Sequence, residues 1–194
     1  MISGLILAAG ESSRMGQDKA LLTYRGRTFL ETILQTLREA GINSLAVVLG
    51  HHAEAIQRAV NLQGAQLVIN RDYQRGQTSS LQVGLKALES PDLEAVVFHL
   101  VDHPAVSVET LKQLLESFRK SAAPVVIPTF QGRRGHPVLL GRALFKELLD
   151  LSPDEGANTV VRKYRDATQF VELDDRGILL DVDDAETYRR LQDS

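Results

Sequence analysis

The chain has 194 residues, 43% apolar and 24% charged, with a net charge of −3 and no cysteine. That describes one globular domain, 1–194, large enough to bury a core without staples, and it argues against a nucleic-acid partner, which needs basic surface. It also excludes disulfides, thiolate metal sites and cysteine nucleophiles; with no apolar stretch long enough for a membrane and no leader to read, the expected location is cytoplasmic.

In chain order, Ile2–Leu7, Leu45–Leu49, Gln66–Ile69, Ala95–Val101 and Val125–Pro128 read as strands. Most are apolar throughout, as expected when both faces are covered. Thr28-Phe-Leu-Glu31 has capping-box spacing, so a helix starts there and stops at Gly41. After Ser107, a stripe of Val108, Leu111, Leu114, Leu115 and Phe118 predicts an amphipathic helix. Such alternation predicts a three-layer α/β/α fold with a mostly parallel sheet and right-handed crossovers. Further on, Gly135–Leu140 reads as a strand, Gly141–Asp150 as a helix, and Ser152-Pro-Asp-Glu155 as a helix start. Gln169–Leu173 and Ile178–Val182 flank Asp174-Asp175-Arg176-Gly177 and predict a small C-terminal β-hairpin.

The first strand runs into Leu7-Ala8-Ala9-Gly10, with Arg14 and Lys19 just downstream. In an open α/β sheet, ligands bind beyond the carboxyl ends of the strands. Small residues there let backbone amides surround an anion, while Arg14 offers a forked donor and Lys19 a mobile point charge. Five residues separate Gly10 from Gly16, and Lys19 lies further on, so the spacing is not that of a P-loop. A solvated strand-loop-helix connection is the plain alternative.

Asp102 ends the apolar run Glu94–Val101 just before Pro104, a position for a cation ligand or for a helix cap. If Ile178–Asp183 is extended, Asp181 and Asp183 share one face, either metal-bound or merely solvated. Asn70 closes a strand, and a polar loop with Gly76 leads to a helix starting near Ser79 or Ser80, whose hydroxyls can bond a base or cap the helix.

As a string, LAAGESSRMGQDKALL resembles the LAAGxSxRMGxxK signature of nucleotidyltransferases that consume a nucleoside triphosphate and release pyrophosphate. The resemblance implies that Arg14 and Lys19 neutralise phosphates and that Leu7, Ala8, Ala9 and Gly10 contact the nucleotide. Val101-Asp102-His103-Pro104 resembles the family's GDxP motif, with Val101 for the usual glycine. Asp181–Leu191 resembles its closing (D/N)-I-(D/N)-TPED motif, with Asp184-Ala185 for Thr-Pro. That places Mg2+ on Asp102 and Asp183.

Asn70…Gly76…Ser80-Leu…Gly84-Leu resembles the nucleotide-binding segment of molybdenum cofactor cytidylyltransferases. Gly135-His136-Pro137-Val138 resembles the family's GHPV stretch facing the acceptor, and Asn158 stands where its GDxGAR motif has arginine. Of the other histidines, His103 lies in the expected site, His51 or His52 sits near the nucleotide, and His99 packs within its strand. Ala9, in LAAG rather than LAGG, goes with the cytidylyl branch and favours CTP.

The resemblance runs from Leu5 to about Tyr188, with the motifs in family order. It implies transfer of CMP from CTP to a molybdopterin-type phosphate acceptor, with catalysis by Lys19, Arg14 and Asp102 and a molybdoenzyme as a further partner. Transfer to a sugar or polyol phosphate, and a non-catalytic nucleotide-binding accessory role in molybdoenzyme maturation, are the alternatives.

Overall fold

The computed structural model describes residues 1–11, 16–152 and 154–193. Strands are β1 (Ile2–Ala8), β2 (Thr23–Tyr24), β3 (Arg27–Thr28), β4 (Leu45–Leu49), β5 (Gln66–Ile69), β6 (Ala95–Leu100), β7 (Val125–Phe130), β8 (Arg133–Arg134), β9 (Val138–Gly141) and β10 (Thr168–Glu172). Helices are α1 (Phe29–Glu39), α2 (Ala53–Ala59), α3 (Gln77–Leu88), α4 (Val108–Ser121), α5 (Phe145–Leu149), α6 (Ala157–Lys163) and α7 (Ala185–Gln192). No described helix is long and apolar enough to cross a membrane.

The main sheet runs β10-β7-β9-β6-β1-β4-β5, with β8 paired to β7. It is parallel except at β9, which lies antiparallel between β6 and β7, and at the short β8. Continuous apolar strands feed two cores by simple alternation. In β1, Ile6 and Ala8 face the layer of α1, α2, α4 and α7, while Leu5 and Leu7 face that of α3, α5 and α6. The same alternation holds along β4 and β6, so each central strand is sealed on both sides. Burying a large aliphatic side chain contributes about 1.5–3 kcal/mol, which makes these strands the anchor of the fold.

The capping box read from sequence forms, and α1 stops where expected. Thr28 accepts from the Glu31 amide at 3.2 Å, and the Glu31 carboxylate accepts from the Thr28 amide at 3.1 Å. Ser107 accepts from the Thr110 amide, and Gly41 ends α1 at φ +91°.

Several expectations need correction. The C-terminal hairpin does not form. β10 pairs in parallel with β7, and Arg176–Leu179 is a 3-10 turn. Asp175 explains this: Oδ2 accepts from Ser107 N (2.9 Å) and Thr110 Oγ1 (2.6 Å), while Oδ1 accepts from Gly177 N (2.8 Å). With that acid tied to the start of α4, Ile178 and Val182 turn fully into the core instead of alternating along a ladder.

Of the expected strand over Gly135–Leu140 only Val138 onward is extended, as β9, because Pro137 has no amide hydrogen for a ladder and Gly135 N bonds Pro128 O just after β8. The helix expected from Gly141 begins as a 3-10 turn at Arg142, since Gly141 is still in β9 and bonds Pro124 O. The Glu155 carboxylate accepts from the Ser152 amide and hydroxyl, both at 3.1 Å, but in an isolated turn: α6 starts at Ala157 after an extended Gly156.

α3 starts at Gln77, earlier than Ser79 or Ser80. Gly76, at φ +93°, reverses the chain there, a conformation that favours glycine.

Candidate active site

The loop after β1 and the end of β6 are neighbours because β1 and β6 pair in register, Leu7 beside Leu100. Beyond their carboxyl ends lies a cavity of about 320 Å³. Its walls include Leu7, Ala8, Ala9, Gly10, Lys19, Gly76, Ser80, Asp102 and Asp183, all named from sequence. Arg14 lies outside the described residues. Val101, in place of a glycine, is accommodated: its amide bonds Leu7 O at 3.1 Å and its side chain is buried at the cavity wall.

Lys19 Nζ donates to Asp102 Oδ2 at 3.1 Å and also to Asp183 Oδ1. Burial alone would pull the Lys19 pKa down, but the Asp183 and Asp102 carboxylates reverse this and hold it above its ordinary value. Asp181 stands nearby. Partial burial, then the Asp102 and Asp183 charges, push its carboxyl up to about 6.

Among the described residues, the carboxylates of Asp102, Asp181 and Asp183 gather around the Lys19 ammonium. Asp102 Oδ1 is buried with no hydrogen-bond partner among the described residues. An orphaned carboxylate oxygen in an acid-rich pocket is an environment suited to a divalent cation, and oxygen donors suit a hard ion.

Asn70 is not at the cavity wall. It is buried and donates to Ser79 Oγ and Ser80 Oγ, both at 2.9 Å, while its Oδ1 accepts from Asp72 N at 3.0 Å. It therefore braces the loop that carries Gly76 and the first turn of α3. His136, Gly135 and Asn158 also lie off the cavity wall. His136 stacks on His103 with ring centroids 4.9 Å apart, beside the Asp102 loop, whereas Asn158 is exposed at the start of α6. Asp184 caps α7 by accepting from Thr187 N at 2.8 Å, so the Asp-Ala replacement of Thr-Pro keeps a helix start.

Among the wall residues not singled out from the sequence are Asp18 and Tyr73. Each is held by one of the paired histidines: His52 Nδ1 lies 2.8 Å from Asp18 Oδ2, and His51 Nδ1 lies 3.1 Å from the Tyr73 hydroxyl. The adjacent His51-His52 after a strand end was the available signal. His99 is buried in β6, as expected, and burial followed by the His103 ring lowers its pKa to about 3. Burial also lowers His103 to about 4 and depresses His136, so these rings are neutral near pH 7.

Residues 4–168 match the MobA-like NTP transferase domain. Nicotine blue oxidoreductase of Paenarthrobacter nicotinovorans is 34% identical, over 98% of this chain and 96% of its own. Molybdenum cofactor cytidylyltransferase of Escherichia coli (strain K12) is 25% identical, over 96% and 93%. Rv0371c from Mycobacterium tuberculosis H37Rv superposes with a TM-score of 0.89 at 35% identity, covering 100% of this chain and 97% of that one. A complex of Rv0371c with manganese superposes at 0.83 with 33% identity, covering 100% and 98%. The matched span takes in the glycine turn, Lys19 and Asp102, and the chain belongs to the MobA-like NTP transferase family of nucleotidyltransferases.

Proposed function

We propose that this protein transfers CMP from CTP to the phosphate of a molybdopterin-type acceptor and releases pyrophosphate, working as a single cytoplasmic domain. The observation that carries the reading is the convergence of Lys19, Asp102 and Asp183 on the cavity behind the Ala8–Gly10 turn.

The triphosphate lies along that turn, where backbone amides and Lys19 offset its charge; Arg14 is assigned the same task from the sequence motif. An acceptor phosphate oxygen attacks the α-phosphorus, the bond from that phosphorus to the α–β bridging oxygen breaks, and pyrophosphate leaves with the electron pair. A phosphate monoester is already ionised, so no dedicated base is needed and the protein contributes position and charge compensation. Lys19 follows the charge growing on the leaving group. Asp102 and Asp183 would hold a divalent cation, Mg2+ by the family resemblance, which supplies electrostatic shielding between the phosphates: unit charges about 4 Å apart repel by roughly 4 kcal/mol at an effective dielectric near 20. His136 and Gly135, beside the Asp102 loop, and Asn158 are assigned to the acceptor side. Asn70 acts by holding Ser80 and Gly76 in place for the nucleotide.

CTP with Mg2+ is expected to raise the melting temperature more than GTP, ATP or UTP, since a ligand of the native state stabilises in order of affinity. Pyrophosphate release that depends on added molybdopterin then tests the transfer. Release with a sugar phosphate instead reassigns the acceptor, and tight CTP binding without release under any acceptor favours the accessory role, with a molybdoenzyme as partner.

A second reading, an oxidoreductase, is favoured by the name of the relative that shares 34% identity over nearly the whole chain. Consumption of a reduced nicotinamide or flavin nucleotide, with no pyrophosphate release from any triphosphate, would decide for it.

A further inference from the structure

Asp102, His103 and Asp181 bring one ligand atom each to within 4.8 Å of one another. His103 is not a surface residue: it is 5% exposed, and its Nδ1 lies 3.0 Å from Leu180 O, its hydrogen-bond partner among the described residues. A carbonyl only accepts, so Nδ1 carries the proton and the neutral ring presents an unprotonated Nε2. A ring held in this way by a backbone carbonyl is the arrangement that orients imidazole ligands in metal sites.

The same contact sets Asp181. Its neighbours on either side are fastened to the Asp102 loop, Leu180 through the His103 ring and Val182 through its amide to Asp102 O at 3.0 Å. Asp181 is therefore held between two hydrogen bonds, facing the Asp102–His103 pair. The His136 ring stacks on His103 at a 26° tilt and limits its rotation. On Asp102, Oδ2 is engaged by Lys19, while Oδ1 is buried and has no hydrogen-bond partner among the described residues. A cation bound at about 2.1 Å to each of two donors spans them by up to about 4.2 Å, so a small inward turn of these side chains closes the set.

We propose that Asp102, Asp181 and His103 form a mixed carboxylate–imidazole site that selects a first-row transition-metal dication over magnesium. The proposal deepens the reading above and rests on it only for the cation's relation to the triphosphate. Magnesium favours oxygen donors, whereas an imidazole nitrogen adds affinity for transition metals.

The test uses the full chain, stripped of metal and free of nucleotide, titrated with manganese(II) and with magnesium. Manganese is expected to bind about tenfold or more tighter than magnesium, and pulsed EPR of the manganese form is expected to show nitrogen hyperfine modulation. In His103→Gln the modulation and the preference both disappear. In Asp181→Asn both metals bind more weakly while the modulation persists, which keeps the test open if the buried His103 variant fails to fold. No nitrogen modulation in the parent protein overturns the proposal, as does an unchanged preference in a folded His103→Gln. Because nucleotide is absent, that failure with normal pyrophosphate release in a separate assay leaves the transferase reading intact. Nitrogen ligation in a protein that releases no pyrophosphate sinks that reading alone.

Discussion

Lys19 Nζ lies 3.1 Å from Asp102 Oδ2, joining two side chains 83 positions apart in sequence, with only 13% and 22% of each exposed. The contact exists because β1 and β6 are hydrogen-bonded neighbours whose carboxyl ends open on the same cavity.

Replacing either member should separate catalysis from folding. Lys19→Ala and Asp102→Ala are each expected to lower pyrophosphate release by about 10²-fold or more, with an unchanged far-UV spectrum. Lys19→Ala also leaves the carboxylates of Asp102, Asp181 and Asp183 without their shared ammonium, so its melting temperature without metal should fall and recover when a divalent cation is added. Near-normal turnover in a purified variant would remove that residue from the mechanism.

Asp181 has a distinctive pH signature. Its folded pKa of about 6 lies above its ordinary value of 3.8, so the ionised form is disfavoured in the native state. The resulting penalty is fully present above pH 6 and vanishes as pH falls toward 4. Without metal, Asp181→Asn should therefore melt higher than the parent at pH 7.5, and the gap should close near pH 4. Equal melting temperatures at pH 7.5 would contradict the crowded-carboxylate arrangement.

Gly84 tests the packing of α3 on the sheet. A Cβ there would meet Leu5 Cδ1 at 2.4 Å and Val48 Cγ2 at 2.9 Å. Gly84→Val adds a branched group at this contact and should cost about 1–3 kcal/mol, or about 2–10 °C in melting temperature. Chemical denaturation of the two proteins side by side gives the number.

Ala9 tests base choice. Its methyl group is buried where the turn meets the cavity. If that methyl crowds a purine, Ala9→Gly should shift the ratio of GTP to CTP affinity by about tenfold toward GTP, the scale of one methyl group in a fitted pocket. Calorimetric titration with both nucleotides measures it, and an unmoved ratio would place base selection elsewhere.

The strands and the cavity floor were legible in the sequence because both depend on local signals. Leu45–Leu49 and Gln66–Ile69 are apolar or β-branched runs with clear boundaries, and both match the structure residue for residue. The glycine turn and Asp102 sit at strand ends, where the architecture places ligands. What stayed hidden depends on partners distant in the chain. Ile178, Leu180 and Val182 alternate like a strand, and nothing local reveals that Asp175 is engaged by Ser107 and Thr110. Asn70 reads as a polar strand end open to a base, until Ser79 and Ser80 occupy its amide. His103 sits in a variable motif position, and its ring is oriented by a carbonyl 77 residues away.

The contact between Lys19 and Asp183 closes over 164 residues. During synthesis on the ribosome, the earliest strands can pair long before Asp181, Val182 and Asp183 have emerged. Nucleotide handling must therefore arise late, after Val182 bonds the Asp102 carbonyl, and a nascent chain halted before Asp183 would keep much of its sheet while lacking one side chain of the pocket wall.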